Sequence, residues 1–425
     1  MKPSSSAMGA ARRGPAISTT LWLLGLGMAV SLLGDTTLYI VLPTHTAQAG
    51  ILLTDVGLML SANRAVRIFL NGPYGVLIER LPRRRVLVPS LLLGALTTLL
   101  YTIPGFWPML VGRVLWGVAW AGIWLGGNTA VLDMSSDANR GRLVGQFQMW
   151  MFIGLGGSAL LGGLLTDWLG YPATFVVFVG AGLVAALAWG LFLPETRPAS
   201  LPAGALALSP LGIPPLPRPR RVAPLLTAVM LLGLNWLIFM GMLGAMLALL
   251  LRERVGDHVT LLGVLIPLAT FTGALSAANQ VLSLLASPAA GWLSDRSGDR
   301  WGLMVFALAL GVASLVMVAE GVGAVAVVGL LLTAIATSVI QTQAVTLAGD
   351  YGEANHRGRV LGLLNTAGDV GSAAGPVLAF ALLPLIALRG VCLLAAAALM
   401  LALPWTLWIA WRERRVRVMS LAARD

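Results

Sequence analysis

The chain is poor in the residues that soluble proteins use to face water. Only 11% of its 425 residues are Asp, Glu, Lys or Arg, against about 25% in an ordinary soluble domain. Charge that sparse cannot coat a water-facing surface. Cysteine occurs once, at Cys392 inside an apolar run, which excludes an internal disulfide and leaves no thiolate cluster for a metal. Histidine occurs three times, at His45, His258 and His356, each in an expected loop. Neither a His/Asp/Glu metal centre nor a Ser/His pair presents itself, so no enzyme, metal or cofactor is expected. No Gly-x-x-x-x-Gly-Lys-Ser/Thr loop is present, which disfavours an ATP-driven pump. Lys2 is the only lysine, and the other basic residues are arginines scattered through short loops. The net charge of +11 therefore does not outline a nucleic-acid surface, and no nucleic-acid partner is expected.

What the chain has is apolar length. Hydrophobic residues make up 58% of it, the mean hydropathy is +0.87, and many runs approach the ~20 residues that span a bilayer core. The fold class expected is an all-α membrane protein of twelve transmembrane helices, arranged as two pseudo-symmetric six-helix bundles. The segments fall near 19–42, 54–78, 86–104, 108–132, 143–166, 173–194, 222–251, 259–293, 301–320, 324–348, 359–386 and 390–411. The eighth is over-long, so part of it should tilt or lie outside the bilayer. The two-bundle arrangement comes from an internal echo. Asn63, Gly75, Leu77, Glu79 and Arg80 recur 216 positions later as Asn279, Gly291, Leu293, Asp295 and Arg296. A second echo sets Arg142-Leu143-Val144-Gly145 against Arg359-Val360-Leu361-Gly362. Duplicated apolar halves are how many secondary transporters are built.

Basic residues orient the spans, because loops on the cytoplasmic side collect them. Twenty-two of the 28 fall on one side, only Arg252, Arg254 and Arg389 fall on the other, and Arg64, Arg67 and Arg113 lie within spans. Both chain ends are therefore expected in the cytoplasm, with the chain in the inner membrane. Residues 1–18 read as a tail leading into a retained first helix rather than a cleaved signal peptide. Residues 19–196 and 222–411 form the two bundles. The Pro- and Arg-rich stretch 197–221 links them, and 412–425 is a basic tail. A monomer in the lipid bilayer is expected.

These features resemble the major facilitator superfamily, on its proton-coupled drug and metabolite efflux branch. The resemblance rests on Gly75, Leu77, Arg80, Arg83 and Arg84 between spans two and three, with Glu79 in place of an Asp and Pro82 in place of a Gly. It rests also on the second copy, Gly291, Leu293, Asp295, Arg296, Gly298 and Arg300, on Arg113 with Gly117 in span four, and on Pro194-Glu195-Thr196-Arg197 after span six. The resemblance implies that Glu79 and Asp295 latch the cytoplasmic face, each meeting the positive N-terminus of a helix in the opposite half. One departure bears on direction. The antiporter pattern Gly-Pro-x-x-Gly-Gly of span five reads Ser158-Ala159-Leu160-Leu161-Gly162-Gly163 here, which weakens antiport.

Ionisable groups inside spans are costly and mark functional positions. Asp35 lies about 12 Å inside the outer end of span one and Arg113 about 7 Å inside span four. A carboxylate beside a guanidinium stays charged, and one that loses that neighbour takes a proton more readily, so the pair suits proton coupling. Arg64 and Arg67, beside Asn63 in the middle of span two, need partners of their own. Either an anionic substrate meets them, or Asp369 on span eleven does, since the resembled fold packs spans two and eleven together across the halves. Trp120 and Trp124 share a face with Arg113 and are candidates to line a cavity, as are Asn235, Asn279, Gln280 and Gln341 from the second half.

The function expected is secondary active transport of a small organic molecule, with protons as the coupling ion and export as the direction. The alternative is uptake or exchange of an organic anion or phosphate ester through Arg64 and Arg67. A receptor with no transport activity is disfavoured by the absence of a soluble sensor domain.

Overall fold

The computed structural model describes residues 17–135, 140–197, 219–261, 264–351 and 357–422. The first half holds α1 (Ile17–Val41), the single turn α2 (Thr46–Ala49), α3 (Leu53–Arg80), α4 (Arg83–Leu100), α5 (Phe106–Asp133), α6 (Arg140–Leu169) and α7 (Tyr171–Phe192). The second half begins with α8 (Pro219–Asn235), which continues through a π-helical stretch, Trp236–Leu243, into α9 (Gly244–Val255) as one span. Then come β1 (His258–Leu261), β2 (Val264–Pro267), α10 (Leu268–Ser297), α11 (Arg300–Glu320), α12 (Ala324–Tyr351) and α13 (Arg357–Ala422). The last of these contains two spans that meet at the non-helical Ala387. Among the described residues, nine stretches are long and apolar enough to cross a membrane. The twelve spans are completed by α3, which carries Arg64 and Arg67, by α4, which opens on three arginines, and by the second span of α13.

One expectation is corrected. The expected eighth span, 259–293, does not start as a helix: β1 and β2 form a small antiparallel hairpin, with Val259 opposite Ile266. Its β-branched Val259, Thr260, Val264 and Ile266 favour strand, and Pro267 stands at the helix start, where its missing N–H costs nothing. The basic stretch after residue 411 begins as helix, α13 continuing to Ala422. Arg412 and Arg415 there stack on Trp408 and Trp411, one turn back. The expected linker falls almost wholly outside the described residues, as does most of the N-terminal tail.

The two halves repeat each other's packing. Span two lies on span four, and span three on spans four and six; correspondingly α10 lies on α12, and α11 on α12 and α13. Small residues allow these approaches. A Cβ added at Gly154 would lie 2.8 Å from the Cα of Ala29, and one at Gly241 would lie 2.7 Å from the Cα of Gly375.

The halves meet along two related seams, α6 against α10 and α3 against α13. On the first, Gly163 abuts Ala269 and Thr270, Gly273 abuts Ala159 and Leu160, and Gly156 faces Ala277 and Gln280. The Asp167 carboxylate accepts hydrogen bonds from both the backbone N–H and the hydroxyl of Thr270, each at 2.6 Å, and so caps α10 from the other half. On the second seam, Gly57 abuts Pro376 and Phe380. Every one of these contacts lies in the halves of the spans remote from Ile17 and Ala422. Toward the face that carries those residues the seams end: Met149, Ile153, Val281 and Leu284 are exposed, and nothing approaches a Cβ built on Gly75 or Gly291. The protein is closed on one side and parted on the other.

On the parted face the expected latch stands disengaged at Asp295. Its side chain is 73% exposed and, among the described residues, pairs with Arg300 of its own half at 3.4 Å. Arg300 also pairs with Asp350, and Arg296 lies over the Trp292 ring. In the first half Arg83 bonds Asp133 at 2.8 Å, while the Glu195 carboxylate accepts from the backbone N–H groups of Arg83 and Arg84 at the start of α4. The side chain of Glu79 lies outside the described residues. Opening the closed seam should be simple. In Gly273→Val, a Cβ would sit 2.2 Å from the Ala159 carbonyl oxygen, so the substitution should separate α6 from α10. Spin labels at Leu52 and Leu385, both exposed on the closed side, should report a longer distance. An unchanged distribution would show that this seam does not hold the closed state.

Candidate functional site

A connected set of polar side chains crosses the middle of the protein from one half to the other. It begins on α1, where Asp35 and Tyr39 are one turn apart and face the same neighbours. Arg113 on α5 is 0% exposed, and its Nη1 donates to Asp35 Oδ1. Its Nε donates to the Met59 carbonyl at 2.8 Å, and its Nη2 to the Leu60 carbonyl at 3.4 Å. Asn63 Nδ2 donates to the same Asp35 oxygen at 3.1 Å. A buried guanidinium needs this many acceptors, because stripping its water costs several kcal/mol. Gly117 makes the approach possible: a Cβ there would lie 2.6 Å from the Asn63 carbonyl oxygen.

The network continues across the seam. Tyr39 donates its hydroxyl to the Leu60 carbonyl at 2.8 Å, and its ring carries Arg113 at 5.7 Å and Arg64 at 5.0 Å. Arg64 Nη1 then donates to the Ser372 carbonyl at 3.0 Å and, more weakly, to the Met240 carbonyl at 3.4 Å, both in the second half. One turn along, Arg67 Nη2 pairs with Asp369 Oδ1 at 3.1 Å, each side chain 17% exposed. The sequence left Arg64 and Arg67 open between substrate and gate. In this closed-sided state Arg67 is committed to Asp369.

Other candidates are placed differently. Trp120 is 9% exposed and packs in the core of the first half with Trp116 and Phe147. Trp124 stacks between Trp120 and Phe147. Trp120 is thus part of that core, while Trp124 packs against it and keeps part of its surface exposed. Asn235 is wholly buried with neither amide atom partnered. Asn279 and Gln280 are half-buried on α10, Gln280 facing Gly156 across the seam. Gln341 is exposed and joins none of these contacts, while its neighbour Gln343 points inward and donates to the Ala290 carbonyl at 3.2 Å. No cluster of His, Cys, Asp or Glu suited to a metal occurs among the described residues. Tyr39, Ser372 and Asp167 are members that the sequence reading missed. Tyr39 carried a usable signal, lying four residues after Asp35 on the same helix.

A buried pair of this kind is costly to break from one side only. Arg67→Gln and Asp369→Asn should each lower the thermal stability of the purified protein. The double variant should recover part of the loss, with a coupling of about 1–3 kcal/mol. Strictly additive losses in that double-mutant cycle would show that the 3.1 Å pair does not join the halves.

The sequence profile of the Major Facilitator Superfamily matches residues 24–278 and again 269–425. Sodium-dependent phosphate transport protein 1 of Mus musculus is 31% identical over 140 residues, 31% of this chain and 29% of that protein. The chain thus aligns with less than a third of that relative's length. Among solved structures, a bacterial homologue of the human lysosomal transporter Spinster, in an inward-facing and occupied conformation, superposes with a TM-score of 0.74 at 15% identity. It covers 93% of this chain and 97% of the other. The human organic anion transporter MFSD10 superposes with a TM-score of 0.64 at 20% identity, over 92% and 100% of the two chains. Identities this low establish a shared fold and nothing more. The profile covers both halves of the chain, and the protein belongs to the Major Facilitator Superfamily and is an integral membrane protein.

Proposed function

We propose that this transporter exports a small organic molecule in exchange for protons by alternating access, with Asp35 as the proton carrier. The observation that carries the reading is the single carboxylate oxygen of Asp35 shared by Arg113 and Asn63, on a helix whose Tyr39 touches the gate arginine Arg64. When the halves rock, α3 and its gate contacts move, and Asp35 exchanges its guanidinium partner for a proton. Residues 19–196 and 222–411 are the moving bodies, joined through 197–221. The parted face is the cytoplasmic one in this reading, supported by the arginines gathered there, and the protein then stands open to the inside of the inner membrane. The resemblance of the Arg113–Gly117 segment to the efflux branch favours export, against the lost Gly-Pro of span five.

A second reading, uptake or exchange of an organic anion or phosphate ester, is favoured by the likeness to the sodium-dependent phosphate transport protein. Proteoliposomes with an imposed pH gradient separate the two, since export by antiport and uptake by symport respond oppositely to its sign. Asp35→Asn should abolish accumulation against a gradient while substrate exchange at equal concentrations persists. If the asparagine variant still concentrates substrate, proton carriage through Asp35 is wrong.

A further inference from the structure

The charges deep in the spans do not balance. Among the described residues the central network holds three guanidinium groups, Arg64, Arg67 and Arg113, and two carboxylates, Asp35 and Asp369. Arg113 has Asp35 and Arg67 has Asp369. Arg64 has only neutral partners: two carbonyl oxygens, both on Nη1, and the Tyr39 ring. Among the described residues its Nε and Nη2 have no hydrogen-bond partner. Those two N–H groups form the edge of a guanidinium that receives a carboxylate or phosphate side-on, through two parallel bonds. Arg67 offers no such edge: its Nη2 is spent on Asp369, which leaves its Nε a lone buried donor without a partner. Another unfilled donor lies nearby on the chain. The indole Nε1 of Trp236 is buried without a partner, one turn before Met240, whose carbonyl holds Arg64.

We infer that the two arginines divide the work: Arg67 closes the gate, and the free edge of Arg64 binds an anionic group, carboxylate or phosphate, on the transported molecule. The inference rests on the transporter reading above and adds the charge class of its substrate. It also links binding to gating. When the seam opens, Arg64 loses the Ser372 and Met240 carbonyls, and an anion held on its free edge offsets that loss. A cationic substrate would meet uncompensated repulsion at the same place.

The test measures equilibrium binding to the full-length protein with no gradient imposed, so it stands apart from proton coupling. Benzoate, glutamate and glucose 6-phosphate serve as soluble anions and lysophosphatidylglycerol as an anionic lipid. Tetraphenylphosphonium and glucose are the cationic and neutral probes. At least one anion should raise the unfolding midpoint saturably, and the soluble and lipid arms tell which source carries the anionic group. Arg64→Gln should weaken that binding at least about thirtyfold, the loss expected of a charge-assisted pair. Arg64→Lys, which keeps the charge but not the fork, should weaken it about tenfold and carries the test should the glutamine variant not fold. The double variant Arg67→Gln with Asp369→Asn should keep saturable anion binding, shifted only through the gate, because it leaves Arg64 intact. Saturable binding by none of the four anions, preference for the cation, or unchanged affinity in either Arg64 variant would overturn the assignment. Binding that depends on Arg64 without any response of transport to a pH gradient would uphold it and defeat the proton-exchange reading instead.

Discussion

A guanidinium group cannot remain unpaired inside a membrane protein, and the centre of this one is organised around three that must be satisfied. Arg113 is answered within the first half by Asp35 and two backbone carbonyls. Arg67 and Arg64 find their hydrogen-bond partners among the described residues in the second half, through Asp369, Ser372 and Met240. Desolvation makes each of these contacts costly to lose, so the arginines of α3 tie the closure of one face to the position of the other bundle. Because Tyr39 lies beneath both Arg113 and Arg64, the pair inside the bundle and the contacts between bundles share a neighbour.

Symmetry explains why both seams stop at the same depth. The seams α6–α10 and α3–α13 exchange under the repeat, so a rocking motion that parts one parts the other. On the closed side both rest on small residues: Gly57, Gly163 and Gly273 each admit the backbone or a first side-chain carbon of the opposite half. Asp167 adds a polar tie there, capping the first turn of α10, where an exposed carboxylate contributes at most about 1 kcal/mol. Such contacts are strong enough to favour a state and weak enough to release it.

The charge asymmetry lies in one half only. Arg64 and Arg67 correspond in the repeat to Gln280 and Ser283, so the second half contributes no matching cations. It supplies acceptors instead, and the π-helical stretch of its first span holds one of them at Met240. Stretches of this kind recur at functional sites.

Local and periodic features were decided by the sequence itself: twelve apolar spans, the duplicated Asn-Gly-Leu-acid-Arg unit, the excess of arginine on one face, and the presence of ionisable groups at depths where they need partners. These follow from chain length against bilayer thickness and from the cost of burying charge, which no neighbour can alter. Tertiary structure alone decided that Asp369 pairs with Arg67 and that Arg64 takes backbone carbonyls instead. The face of the Trp120–Trp124 stripe was visible from spacing, but only packing placed Trp120 in the core of the bundle, since lipid, core and cavity all accept tryptophan. The run from Val259 to Pro267 was apolar enough for a span, yet its pairing partner, β2, made it a hairpin. Asp295 was legible as a latch, but whether a latch is engaged depends on which side of the molecule is closed, a property of the arrangement of two bodies that no single helix encodes.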